Sequence, residues 1–267
     1  MKNKVLSFLL ISSLICVGSL AHEFWIAPSA YMVNSNETFT MNCYAGEDFK
    51  QAIWANRKER TQSVTHFFNK GSLDVTADFI GRDSVPVPMH IQNSGNHLFA
   101  FRSKPSYIEM KGPAFNAYLK EDGITDILQY RIQNRLSANK SREFYQRCAK
   151  ALLQADGISD STYAINTGMP LEIIPLENPY QLKSDKINVY FEFKGKPLVN
   201  YQVRTWCVKD GKLIVKSFYK TNDKGIAVLP IKDSGEWMIS VVKMVLYSDA
   251  LKADYESFWG SYTFYKK

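Results

Sequence analysis

The residue with the most chemistry to offer is His22, which directly follows Gly18-Ser19-Leu20-Ala21 at the end of the one long apolar run. Lys2 and Lys4, the apolar stretch from Val5 to Val17, and the small residues Ser19 and Ala21 form the three-part pattern of a secretory signal peptide. Cleavage after Ala21 makes His22 the first residue of an exported, periplasmic chain. An N-terminal histidine presents its α-amine and its imidazole to the same ion, and an α-amine with a pKa of about 7.7–8.0 yields its proton to a metal near neutral pH. Nitrogen donors of this type suit copper, nickel or zinc. One more imidazole or carboxylate would complete a three- or four-coordinate site. The other histidines, His66, His90 and His97, have neither His-x-His nor His-x-x-x-His spacing. Each reads as an ordinary strand or turn residue, and together they are the candidates for the second imidazole that a copper histidine-brace oxidoreductase would need.

Other chemistries find less support. No Gly-x-Ser-x-Gly elbow is present, and the Gly195-Lys196 pair leads into a proline and a strand instead of the helix that a phosphate-cradling loop requires. The formal charge of +7 is dispersed without a run of Lys or Arg, so the chain carries no nucleic-acid footprint. Beyond the leader no segment approaches the ~20 apolar residues of a membrane span. A lipid anchor at Cys16 is disfavoured because Ile15, not a small residue, precedes it. Cys43, Cys148 and Cys207 remain after cleavage, an odd number with wide separations that matches no zinc pattern and allows at most one disulfide. They read as buried thiols acting as small hydrophobes.

The elements that must position His22 are mostly strands. From His22 to about Ser106, "TFTMNCYA" alternates Phe39, Met41 and Cys43 against polar neighbours, and "NHLFAFRS" sets Leu98 and Ala100 against His97, Phe99 and Phe101. Between about Pro113 and Gln154 the pattern becomes helical. Pro113 and Gly123 bracket one helix, Thr125 starts a second, and "REFYQRCAKALLQ" reads as a third, with Phe144, Cys148 and Leu152 every four residues. A second β region follows. There "INVYFEF" places Ile187, Val189, Phe191 and Phe193 on one face, and Asn222-Asp223-Lys224-Gly225 marks a turn. The expectation is a mainly β protein of two β-sandwich domains. Residues 22–167 form the first, with a helical insertion at about 113–155, and 168–267 an immunoglobulin-like or transthyretin-like second.

The segments "AHEFWIAPSAYMV", "RSKPSYIEMKGPAFNAYLKEDGI", "REFYQRCAKALL", "LEIIPLENPYQL", "GKPLVNYQV", "TNDKGIAVLPI" and "ADYESFWGSYTF" together resemble the bacterial domain-of-unknown-function family 4198, in order and over nearly the whole exported chain. That resemblance implies two β-domains, a mature end beginning His-Glu-Phe, and a grouping with periplasmic components of nickel and cobalt uptake systems. It also implies a membrane metal transporter, inner or outer, as partner. The family pattern usually has a histidine where this chain carries Lys243. Strands 237–246 and 256–264 read as hairpin neighbours, with Trp237, Ile239, Val241 and Lys243 sharing a face, so Lys243 is expected to pair with Glu256 or Asp254. The pocket there is the expected receptor for His22, with Glu256 as carboxylate ligand to nickel, cobalt or copper. A non-metal alternative is a carbohydrate- or partner-binding surface module using Trp25, Trp206, Trp259 and Tyr262.

Overall fold

The computed structural model describes residues 23–55, 57–69, 71–81 and 85–267. Among them are three sheets. The first contains β1 (Glu23–Pro28), β3 (Thr38–Gly46), β4 (Ala52–Ile53) and β7 (Val87–His90). The second, of ten strands, runs in the order β15 (Lys212–Lys220), β14 (Gln202–Lys209), β17 (Gly235–Leu246), β18 (Tyr255–Lys266), β10 (Ser141–Ala155), β8 (Gly95–Ser103), β5 (Thr61–Phe68) and β6 (Gly71–Asp74). Two short strands, β2 (Met32–Val33) and β9 (Ser106–Met110), also pair with β10. The third sheet contains β11 (Leu171–Pro175), β12 (Lys186–Phe193), β13 (Lys196–Pro197) and β16 (Ile226–Pro230). Four α-helices, α1 (Arg57–Arg60), α2 (Thr76–Ile80), α3 (Gly112–Glu121) and α4 (Thr125–Gln133), and two 3-10 helices at Ser161–Ala164 and Pro179–Gln181 are found among the described residues.

The outer sheets pack on opposite faces of the ten-stranded one. Phe24, Ile26, Phe39 and Met41 of the first sheet meet Phe99, Phe101, Ala149, Ala151 and Leu153. Ile173, Val189, Phe191 and Leu229 of the third meet Cys148, Leu152, Val203, Ile239, Phe258 and Tyr262. The mainly β, sandwich-like architecture is present, and β10 and β18 join strands from the two halves of the chain as a parallel pair from Glu143↔Tyr255 to Ala151↔Thr263. One sheet serves both. The helical insertion packs on strands from the far half of the chain, with Phe115, Tyr118, Leu119 and Ile127 against Val242, Met244, Tyr255 and Trp259.

The run expected as a third helix is instead β10, fifteen residues long and in the middle of the central sheet. A spacing of four is even, so Phe144, Cys148 and Leu152 share one face of a strand as readily as one face of a helix. Polar residues between them hid the strand pattern. Lys150 is buried against Glu172, with the Ile165 and Ile173 carbonyls as further acceptors at 3.2 and 3.3 Å, and Gln146 donates to Glu256 at 3.3 Å. Lys150 and Gln146 thus have partners inside the sandwich, as burial demands. The three thiols are free and buried, and burial pushes each up to about 12, so they are inert packing groups.

Candidate functional site

His22 lies outside the described residues, but its covalent neighbour Glu23 opens β1 and fixes where the chain comes from. β1 is buried along its whole length because it lies between two surfaces. Phe24 and Ile26 enter the first core, while Trp25 and Ala27 pack with Phe49, Trp206 and Met238. The Thr263 hydroxyl of β18 donates to the Ile26 carbonyl at 2.8 Å, tying the strand to the central sheet. Its head is thereby held over β14 and the C-terminal end of α3.

A cleft of about 150 Å³ opens there, lined by Glu23, Glu47, Asp48, Glu121, Asp122, Arg204, Trp206, Lys216 and Phe218. Arg204, on β14, is its central cation: Nη2 lies 2.9 Å from Glu23 Oε1 and Nη1 donates to Asp122 Oδ1 at 2.6 Å. Burial works against the guanidinium's charge, but Glu23 and Asp122 outweigh it and hold its pKa above the usual value. Asp122 is 7% exposed, and burial pushes its carboxyl up to about 6 even though Arg204 opposes the shift. Four buried polar atoms of the lining residues make no hydrogen bond among the described residues: Glu23 Oε1 and Arg204 Nη2, which face each other as an ion pair, and Asp122 Oδ2 and Trp206 Nε1. At the rim Lys216 pairs with Asp48 at 2.5 Å. Asp48 and Phe49 are consecutive non-glycine residues with φ of 53° and 59°, a left-handed conformation of the kind that clusters at working sites.

Behind the cleft a second polar chain runs through the helix packing. Glu143 on β10 accepts from Tyr118 Oη at 3.1 Å and from the Ser257 hydroxyl, which itself accepts from Trp259 Nε1 at 3.1 Å. Burial pushes Glu143 up to about 7. Arg147, four residues along, stacks on Phe24, Tyr145 and Trp259, with ring centroids 5.0–5.8 Å from its guanidinium carbon.

The residues singled out in the sequence fall elsewhere. β17 and β18 are hairpin neighbours as expected, but Lys243 opposes Phe258 and Glu256 opposes Val245. Lys243 Nζ binds Asp126 Oδ2 at 2.7 Å over the Tyr201 ring, while Asp254 pairs with Arg142 at 2.9 Å, so the expected pairing of Lys243 with Glu256 or Asp254 is replaced. The cause is the helical insertion, which brings Asp126 to the end of β17. Glu256 accepts from Gln146 and lies 3.7 Å from Lys194. Strand alternation puts it on the opposite face of β18 from Ser257, and so away from the Glu143 chain.

Nor does a second imidazole reach the head of β1. His90 pairs with Thr38 while Glu23 pairs with Gly46, eight residues along β3, which is roughly 27 Å at a strand rise of about 3.4 Å. His97 is four residues, roughly 13 Å, from Phe101, the ring that touches Phe24. His66 and His97 face each other instead, with Nε2 and Nδ1 2.8 Å apart, and burial lowers the pKa of both. The four aromatics that could have formed a binding surface are all in the core: Trp25 is 0%, Trp206 2%, Trp259 5% and Tyr262 0% exposed.

The family described as "Domain of unknown function (DUF4198)" matches residues 19–244. The chain belongs to this family. The DUF4198 match includes every residue lining the cleft and ends before Glu256. No curated protein matches. Among solved structures, the D0-D1 domain of intimin is 11% identical, with 90% of this chain and 96% of that one covered at a TM-score of 0.21. Three N-terminal domains of the bacteriophage RB49 capsid protein Hoc are 9% identical, covering 91% of this chain and 59% of theirs at 0.20. A marsupial T cell receptor is 9% identical, covering 91% and 73% at 0.22. Similarity this low has no bearing on function. Among the described residues of this DUF4198 protein no helix is long and apolar enough to cross a membrane, and no group of three or more His, Cys, Asp or Glu could hold a metal ion. A metal held at the cleft would therefore draw a donor from outside them, and His22 is the residue next to Glu23. Among the described residues the lining has five carboxylates, of which Glu23 and Asp122 face Arg204 and Asp48 faces Lys216.

Proposed function

We propose that this protein is an exported metal-binding protein that assists the uptake or handling of nickel, cobalt or copper in the periplasm and passes the ion to a membrane transporter. His22 supplies the α-amine and imidazole, and Asp122 replaces Glu256 as the carboxylate that completes the site. The reading is supported by buried Asp122, whose Oδ2 makes no hydrogen bond among the described residues and which lines a carboxylate-rich cleft with Glu23. Such an oxygen would ordinarily have found a hydrogen-bond donor during folding. A cation in the cleft would offset the surplus of negative charge and meet that oxygen at once. The role is binding without turnover.

The test is titration calorimetry with nickel on protein exported through its own leader, its first residue confirmed as His22 by mass spectrometry. His22→Ala should weaken binding at least tenfold. An unchanged affinity would remove the assignment.

A further inference from the structure

A second groove opens at the other end of β1, with a volume of about 500 Å³, inside the roughly 300–1,000 Å³ range of small-molecule sites. Its lining comes from residues 28–32, from the turn between β14 and β15, and from the first residues of β17. Glu236 of β17 brings it a half-buried carboxylate. Three tyrosines line the groove with it. Tyr31 Oη donates to Glu236 Oε1 at 2.7 Å, Tyr265 is the cross-strand partner of Glu236 on β18, and Tyr44 adds the third ring. Cross-strand partners share a face, so Tyr265 lies beside the carboxylate, and the Tyr31 and Tyr265 ring centroids are 6.4 Å apart.

This carboxylate has no counter-charge. Glu23, Asp122 and Glu172, all buried, face Arg204 or Lys150. Burial pushes the Glu236 carboxyl up and the Tyr31 hydroxyl opposes that, but among the described residues no lysine or arginine pairs with it. Lys209 and Asp210 also line the groove, both exposed on the turn, and offset each other. A cation would balance Glu236 and be attracted to the tyrosine rings as well, whose faces are negative. An inorganic ion is poorly matched, since the described residues offer no group of three metal-binding side chains. An uncharged sugar would leave the carboxylate unbalanced.

We propose that this groove binds a small organic cation, an alkylammonium ion whose N–H groups donate to Glu236 and whose carbon chain lies against Tyr31, Tyr44 and Tyr265. The groove shares no residue with the cleft beside Glu23, so neither His22 nor a metal has a part in it.

The experiment is calorimetry on the exported protein, titrating n-butylammonium, the uncharged n-butanol of nearly the same shape, and methyl glucoside. Butylammonium should bind at least tenfold more tightly than butanol or the glucoside. Glu236→Gln, which keeps an oxygen for the Tyr31 hydroxyl, should weaken butylammonium about tenfold and leave butanol within twofold, and Tyr265→Leu should weaken butylammonium at least threefold. No binding of butylammonium, equal affinities for butylammonium and butanol, tighter binding of the glucoside, or an unchanged affinity in Glu236→Gln overturns the cation site. If circular dichroism shows a variant unfolded, the wild-type ratio of butylammonium to butanol decides.

Discussion

Replacing Glu143 with glutamine should flatten the dependence of stability on pH. Glu143 is 2% exposed, and burial pushes its carboxyl up to about 7, whereas in the unfolded chain it titrates near the ordinary value of about 4.3. Between those values the folded protein holds a proton that the unfolded chain has released. A raised carboxyl contributes stability in full below the unfolded value; that contribution is lost as pH rises through about 7 and changes no further above it. At 1.36 kcal/mol per unit, the loss between pH 5 and pH 8 comes to about 2.5 kcal/mol. Glutamine keeps an oxygen for the Tyr118 and Ser257 hydroxyls and cannot ionise, while its amide nitrogen adds an offset that does not vary with pH. Urea unfolding of both proteins at pH 5, 6.5 and 8 isolates the group, because all other carboxyls titrate alike in the two. The variant should gain about 2.5 kcal/mol on the wild type across that range, or roughly 5–10 °C in Tm for a chain of this size. Parallel stability curves would refute the assignment of a buried, proton-holding Glu143.

Two further substitutions probe the sandwich and the family difference. Lys150→Met strands Glu172, 1% exposed, without its cation, and should cost about 3–5 kcal/mol in urea unfolding. The double variant Lys150→Met, Glu172→Gln should recover at least half of that loss, since the amide oxygen still accepts from the Thr167 N–H and hydroxyl and the Met169 N–H; no recovery would mean that the charge was not the cause. Lys243→His introduces the histidine that the family resemblance leads one to expect at this position. Because position 243 faces Asp126 and Tyr201 and is not part of the cleft lining, nickel affinity should stay within twofold by calorimetry. A tenfold gain would show that this histidine was a missing ligand.

What the sequence made legible depended on how many faces each strand buries. On β12 and β3 one face is covered and the other is partly open, so Ile187, Val189 and Phe191, like Phe39, Met41 and Cys43, stood out by simple alternation. The Asn222–Gly225 turn was equally readable: Asn222 Oδ1 accepts from the Lys224 and Ile226 N–H groups, and Gly225 has φ of 74°. β10 and β18 are covered on both faces, which erases alternation, and the polar residues they bury look like the solvent side of a helix. Their parallel pairing across 112 positions of sequence, Glu143 with Tyr255, follows no local pattern at all. The cleft was hidden for the same reason. Glu23 stood beside the singled-out His22, but Asp122 read only as part of a helix stop and Arg204 only as a strand residue, while Trp206 read as a candidate surface aromatic. Burial of an acid and an arginine together is the signal that was missing, and it exists only once β1 lies across the central sheet.

The concentration of unfavourable features in that cleft is itself an argument for function. Asp48 and Phe49 hold left-handed backbones at roughly 1–2 kcal/mol each, and the unpartnered Asp122 Oδ2 and Trp206 Nε1 each forgo about 1–3 kcal/mol. Against a net stability of about 5–15 kcal/mol for a typical domain, four such costs in one place are large. Single substitutions would relieve any of them: asparagine or glycine at position 48, or an apolar side chain in place of Trp206. A fold that gained nothing from the cleft would have drifted toward those residues, because stabilising changes are easy to reach where function does not oppose them. The same features occur together where β1 begins, one residue after the histidine that signal cleavage is expected to expose.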